Sequence, residues 1–229
     1  EKSLDSLKNL SAPCAKVIRE GKKKEIPSRE LVPGDLVELE AGDMVVADGR
    51  ILDNYSLQVN ESALTGESTN VEKTQGSLPE DLPLADRRNM VYSGSLVTYG
   101  RAQVLVTGTG MHTEIGKIAG MMNDIRENVH DWSDRDEVKS YLGKMLDGQV
   151  FDKKGLIYGM GHAVYSLSDP RERVFRSYVE HLAEAKGRQK DMNLYNMIEE
   201  VAPELIAEKR HIFKGVSPNV DFYSVVVCF

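Results

Sequence analysis

At 229 residues the chain has room for one large or two small domains, each able to bury a core of its own. Its net charge is -7 and its pI about 5.4, with 14 of the 29 basic and 18 of the 36 acidic side chains falling in residues 1–120, so no charged tail dominates and no nucleic-acid surface is expected. Cys14 and Cys228 have neither metal nor disulfide spacing, no signal peptide is expected, and no apolar run reaches the ~18 residues of a membrane span; the expected setting is cytoplasmic and reducing.

Residues 1–12 read as a short helix, with Leu4, Leu7 and Leu10 at roughly helical spacing. Residues 15–19 alternate apolar and polar, Glu20-Gly21-Lys22 supplies a turn, and Lys22, Lys23 and Lys24 read as a solvated hairpin edge rather than a binding patch. Pro33-Gly34 punctuates the start of a strand over 35–40. Further short strands are expected at 50–54, 56–59, 90–94, 96–98 and 101–107, with 74–88, polar and carrying two prolines, as a surface loop. Many short strands separated by Gly and Pro turns predict a mainly β N-terminal part, a compact β barrel or a distorted jelly roll. In that layout Thr65-Gly66-Glu67-Ser68 falls on an exposed rim.

A lone Thr-Gly-Glu-Ser turn is a weak signal, because a loop glycine usually means only an unusual backbone conformation. Its context is specific. Before it stand Leu31-Val32-Pro33-Gly34-Asp35 and Ala47-Asp48-Gly49-Arg50; after it come Val71-Glu72-Lys73, Asn89-Met90-Val91-Tyr92-Ser93-Gly94 and Thr107-Gly108-Thr109-Gly110 with Met111-His112-Thr113-Glu114-Ile115-Gly116-Lys117. This ordered set resembles the actuator domain of P-type cation-transporting ATPases of the calcium-pump-like type, over residues 1–120. Val46 stands where the family usually has proline, and Asn60 where it usually has aspartate.

The resemblance implies a role for Glu67. Such pumps pass through an aspartyl-phosphate, whose hydrolysis needs an aligned water and an acceptor for its proton. A carboxylate on a loop fits that task, with Thr65, Gly66 and Ser68 shaping the approach to the phosphoryl group. The phosphorylated aspartate belongs to an Asp-Lys-Thr-Gly-Thr motif that is not in this sequence; Asp152-Lys153-Lys154-Gly155 only looks similar. No nucleotide-binding loop is found either. The implied partners are therefore the phosphorylation and nucleotide-binding domains of a parent pump. That pump would use ATP and Mg and would meet the membrane through segments outside this sequence. No cofactor and no metal site are expected in the chain itself.

From about Met121 strand-like alternation gives way to helical periodicity. Ile115, Ile118, Met122, Ile125 and Val129 recur at three- and four-residue intervals, predicting one helix across the join. Ser133-Asp134-Arg135-Asp136 reads as a helix start, followed by the stripe Val138, Tyr141, Leu142 and Met145. Further helices are expected over 170–186, stopping near Gly187, and over 191–201 and 203–213, the last with Pro203 in its first turn. The C-terminal part is predicted to be all-α.

Within it, Gly155-Leu156-Ile157-Tyr158-Gly159-Met160-Gly161-His162-Ala163-Val164-Tyr165, then Ser168-Asp169-Pro170-Arg171, and later Val216-Ser217-Pro218-Asn219-Val220-Asp221-Phe222-Tyr223-Ser224, resemble a citrate synthase. With the helices between, this likeness spans residues 121–229. It implies that His162 bonds the keto oxygen of oxaloacetate, Arg171 pairs with a carboxylate of that substrate, and Asp221 takes a methyl proton from acetyl-CoA. Gly159, Met160 and Gly161 would form the coenzyme loop. Taken alone, His162 reads as a structural histidine. The family uses a further histidine from an earlier segment and arginines beyond Asp221, so this piece is expected not to condense its substrates.

The chain thus reads as two joined parts: residues 1–120 an actuator domain, residues 121–229 a citrate synthase-like helical fragment. Its expected function is that of the actuator in a pump, the chain alone being inactive, with an artificial or accidental fusion placed ahead of a natural two-function protein. The alternative is a citrate synthase-like acyltransferase carrying an N-terminal extension. A third reading is that the helical part acts only as a dimerisation or solubility module, with a homodimer formed through it.

Overall fold

The computed structural model describes residues 13–65, 70–80, 82, 84–160 and 170–211. The chain divides into two compact units, the first comprising residues 1–62 and 67–114 and the second residues 115–229 together with the short stretch 63–66. The helix expected over residues 1–12 lies outside the described residues.

The first unit is built on an antiparallel sheet. Its strands are β1 (Cys14–Arg19), β2 (Lys22–Pro27), β3 (Leu36–Glu40), β4 (Asp48–Asn60), β5 (Asn70–Glu72), β6 (Met90–Val91) and β7 (Leu96–Gly108). They pair in the order β2-β1-β3-β7-β4-β5, with β6 also on β4. Among the described residues this path runs from β2 to β5 without closing on itself, so the mainly β expectation holds in the form of an open sheet.

Local chemistry explains the ends. Glu20 and Gly21 have φ of 54° and 70°, the paired left-handed residues of a tight hairpin turn whose twist matches that of the flanking strands. β2 is an end strand, and Lys22, Lys23 and Lys24 on it are exposed, as a protected edge requires.

Two of the expected strand breaks are absent. Residues 50–54 and 56–59 belong to one strand, β4, and 96–98 and 101–107 to one strand, β7. The turn-like residues are absorbed in a bulge: register shifts occur between Tyr55 and Gln58, Ser56 has φ of 55°, and Gly100 across from it has φ of 74°. A Cβ on Gly100 would collide with the carbonyls of Tyr55 and Ser56. The expected strand over 90–94 is shorter, Met90–Val91. The core under the sheet gathers Val17, Ile51, Leu57, Val59, Val97 and Val104, each followed or preceded along its strand by a less buried residue.

Between Asn60 and Asn70 a short helix, α1 (Ser62–Thr65), follows β4. The second unit holds α2 (Glu114–Asn128), α3 (Arg135–Leu146), α4 (Pro170–Ala185) and α5 (Gln189–Arg210). α2 is the helix anticipated across the join. α3 starts at Asp134, whose carboxylate accepts from the amides of Asp136 and Glu137 and so satisfies two donors that a helix start leaves open. α4 ends just before Gly187, which has φ of 68°.

The expectation of two helices over 191–201 and 203–213 is corrected. α5 is continuous through Pro203. A proline in a helix interior removes one backbone hydrogen bond, yet Val201, Ala202 and Leu205 on either side are buried, and their packing outweighs that loss. α5 packs against both α3 and α4. The core of this unit centres on Met121, Met122, Ile125, Leu142, Met192 and Tyr195. The described elements of this unit are helical, connected by turns.

Candidate functional site

The segment carrying Thr65, Gly66, Glu67 and Ser68 joins β4 to β5. Thr65 is the last residue of α1; Gly66, Glu67 and Ser68 lie outside the described residues. What is described is the base from which the segment springs. β4 and β5 pair antiparallel with Gln58 opposite Glu72, Val59 opposite Val71 and Asn60 opposite Asn70. The connection therefore leaves and re-enters the sheet at directly facing residues. Asn60 also turns the exit, its Oδ1 accepting from the amide of Ser62 at 3.0 Å. A short side-chain acceptor two residues back is the usual device for starting such a turn.

Beside this base lies a buried ion pair. Alternation along β4 puts Leu57, Val59 and then Glu61 on the inward face, and the same alternation from Val71 puts Lys73 inward. Glu61 and Lys73 meet there, with side chains 0% and 1% exposed. The ring of Tyr92 lies 5.7 Å from the Lys73 Nζ, its negative face toward the cation. Burial pushes the Lys73 ammonium below its ordinary pKa, and the attraction of Glu61 works against that. Tyr92 is pushed up, first by burial.

The backbone of Lys73 is pinned as well. Its amide donates to Leu57 O at 2.9 Å, and its carbonyl accepts from Asn54 Nδ2 at 2.6 Å. Asn54 Oδ1 in turn accepts from the Leu57 amide at 2.9 Å.

Reading the sequence for motifs overlooked this pair. Lys73 is noted there only as the last residue of the Val71-Glu72-Lys73 block, and Glu61 is not singled out. The available signal was strand parity: two charged residues at inward positions of neighbouring strands must find each other or pay heavily for burial.

Elsewhere in this unit Asp48, from the Ala47-Asp48-Gly49-Arg50 block, accepts through Oδ1 from Ser93 N at 2.8 Å and through Oδ2 from Glu114 N at 2.7 Å. Asp35 forms a two-pronged pair with Arg19, at 2.8 Å to Nε and 2.6 Å to Nη2, and that guanidinium holds its carboxyl below the usual range. These two motif acids therefore fasten backbone and strand ends. A cavity of about 190 Å³ under β1 and β3, lined by Ala15, Leu31, Val37 and Val45 among others, includes none of the predicted site residues.

In the second unit, Gly159 and Met160 of the expected coenzyme loop are described, Gly159 with φ of 79° and Met160 packed against the helical core. The turn leading to them is tied to the end of α5: Arg210 Nη2 donates to Leu146 O at 3.0 Å and to Gly155 O at 2.8 Å. Arg171 is the second residue of α4. Gly161, His162 and Asp221 lie outside the described residues, so the expected oxaloacetate and coenzyme groups are not brought together on what is described. Asp152, in the sequence that only looks like a phosphorylation motif, sits in an exposed turn, accepting from Lys154 N and from the Tyr158 hydroxyl. No group of three or more His, Cys, Asp or Glu arranged to hold a metal occurs among the described residues. No helix among them is long and apolar enough to cross a membrane.

Comparison with known proteins divides along the same lines. The family model of the P-type ATPase actuator domain matches residues 9–123, and that of the citrate synthase C-terminal domain matches residues 109–228. The two matches overlap over 109–123, where α2 begins. A calcium-transporting ATPase of Listeria monocytogenes is 58% identical over 122 residues, which is 53% of this chain and 14% of that protein. Calcium-transporting ATPase 1 of Lactococcus lactis is 57% identical over 122 residues, again 53% and 14%. The probable cation-transporting ATPase F of Mycobacterium tuberculosis is 54% identical over 118 residues, 52% of this chain and 13% of its own. The chain thus spans about a seventh of the curated relatives it matches. A crystal structure of a zinc-transporting PIB-type ATPase in an E2.Pi state aligns over 86% of this chain and 27% of its own, at 21% identity and a TM-score of 0.41, too low to carry an argument. By the extent of both matches, the chain belongs to the P-type ATPase actuator-domain family over residues 9–123 and to the citrate synthase family, through its C-terminal domain, over residues 109–228.

Proposed function

We propose that the first unit is the actuator of a cation-transporting P-type ATPase and that Glu67 serves the hydrolysis of its aspartyl-phosphate. In that step Glu67 orients a water and accepts its proton. The water oxygen bonds to phosphorus, the bond from phosphorus to the aspartyl oxygen breaks, and the aspartate carboxylate and inorganic phosphate are released. Thr65, Gly66 and Ser68 shape the approach, Gly66 by having no side chain to obstruct it. The observation that carries this reading is the actuator-family match over residues 9–123, within which Thr65-Gly66-Glu67-Ser68 joins two strands whose facing ends are Asn60 and Asn70. The phosphorylated aspartate, ATP and Mg belong to other domains of such a pump, and the actuator works at its cytosolic face. Calcium is the favoured cargo, because the relatives at 58% and 57% identity are calcium-transporting ATPases.

The test is to put residues 9–123 in place of the matching segment of the Listeria calcium-transporting ATPase and to follow decay of the phosphorylated intermediate. Glu67→Gln should leave its formation intact and slow its decay by about 10²-fold or more, the scale of lost general-base assistance. Equal decay of the two proteins would refute the assignment.

A second reading is favoured by the match over residues 109–228. In it the helical unit descends from a citrate synthase, with His162 and Arg171 holding oxaloacetate, Asp221 abstracting a proton from acetyl-CoA, and Gly159, Met160 and Gly161 near the coenzyme. That unit would also carry homodimerisation. We read the chain as a fusion of two unrelated parts joined within α2, where both families place a helix. Light scattering tests the dimer, and calorimetric titration with oxaloacetate tests the site; a monomer that releases no heat would remove this reading.

A further inference from the structure

We propose that Glu61 and Lys73 are positioning residues, a buried clamp that fixes where the chain leaves β4 and where it re-enters the sheet at β5. The inference deepens the proposed actuator role and rests on it for its functional meaning, though not for its physics. Glu61 is the first residue beyond β4 and Lys73 the first beyond β5. Every residue from 62 to 72 lies between the two members of the pair. Lys73 is tied on three counts: its amide and carbonyl are bonded to the sheet at Leu57 and Asn54, and its ammonium pairs with the Glu61 carboxylate and lies 5.7 Å from the Tyr92 ring. Through it, Glu61 is anchored to the sheet just where the chain departs toward Glu67.

The choice of a charged pair needs explaining. Glu61 and Lys73 are withdrawn from water almost completely, and a buried ion pair stabilises a fold no better than an apolar pair of similar size. Apolar side chains would fill the same space without direction. A carboxylate and an ammonium accept few relative orientations, and the misaligned alternatives each leave a buried charge without its partner. The pair thus selects one path for the chain leaving β4. That is the property required of a segment that must bring one carboxylate to a phosphoryl group, because small misplacements cost large factors in rate.

The experiment is hydrogen exchange, followed by mass spectrometry of peptic peptides, on the full chain and on two double variants, Glu61→Leu with Lys73→Met and the exchanged Glu61→Lys with Lys73→Glu. Peptides covering residues 61–72 are compared with those from β4 and β7. In the apolar variant exchange over 61–72 should rise by about tenfold or more while the sheet peptides are unchanged, and the exchanged variant should restore most of the protection. A purely structural pair predicts otherwise: unchanged exchange over 61–72 in the apolar variant, or a rise throughout the sheet, and either would overturn the proposal. Unfolding of the apolar variant, or residues 61–72 exchanging at the unprotected rate in the parent chain, would do the same. Because the readout needs no pump, its failure is distinct from failure of the Glu67 assignment, which only phosphoenzyme decay tests.

Discussion

Replacing Lys73 alone by methionine is the sharpest test of the chemistry at the base of the β4–β5 connection. Methionine matches the length of the lysine stem and keeps its packing, so the change isolates the charge. With Glu61 0% exposed and Lys73 1% exposed, removing the ammonium takes its ion-pair partner from a carboxylate withdrawn from water. Breaking a buried pair from one side costs about 3–5 kcal/mol, and the lost contact with Tyr92, at 5.7 Å, falls within that range. For a unit of this size each kcal/mol lowers the melting temperature by roughly 4–8 °C, so a fall on the order of 20 °C is expected. The assay is thermal and urea unfolding of the parent chain and Lys73→Met, followed in the first unit by hydrogen exchange and mass spectrometry of peptides from β4 and β7, because the helices of the second unit dominate far-ultraviolet circular dichroism. A loss below about 1 kcal/mol would refute the reasoning, since it would mean that Glu61 is not held as a charged partner of Lys73.

Gly100→Ala should destabilise the first unit by at least about 2 kcal/mol in the same urea titration, because φ is 74° there and a Cβ meets the carbonyls of Tyr55 and Ser56; a neutral result would mean the β4 bulge is not as described. The Asp35 carboxyl lies below its ordinary value of 3.8 first because Arg19 bonds to it, so its contribution is present above that pH and lost as pH falls through the lower folded value. Urea midpoints between pH 7 and pH 3 should therefore drop more steeply in the parent chain than in Arg19→Met, and parallel curves would count against the pair. Pro203→Ala restores a backbone donor inside α5 and should stabilise the helical unit by about 1–3 kcal/mol, read from the fluorescence of Trp132, which packs against that core; unchanged stability would show that the proline already costs nothing.

Local patterns in the sequence determined a good deal. The turn at Glu20-Gly21, the lysine-guarded edge at Lys22 to Lys24, the cap at Asp134 and the helix over Ile115 to Val129 each follow from the chemistry of a few neighbouring residues. Ordered motif blocks were enough to place both families. What local pattern could not decide were the features set by partners distant along the chain. β4 and β7 run unbroken past Ser56 and Gly100 because each supplies the other's ladder across the bulge, so residues that look like turns are carried as strand. α5 runs through Pro203 because α3 and α4 bury its flanks, and packing outweighs one missing donor. Glu61 and Lys73 read individually as ordinary surface charges. Only the pairing of Asn60 with Asn70 turns both inward beside each other, where their charges become partners that neither can give up without leaving the other stranded away from water.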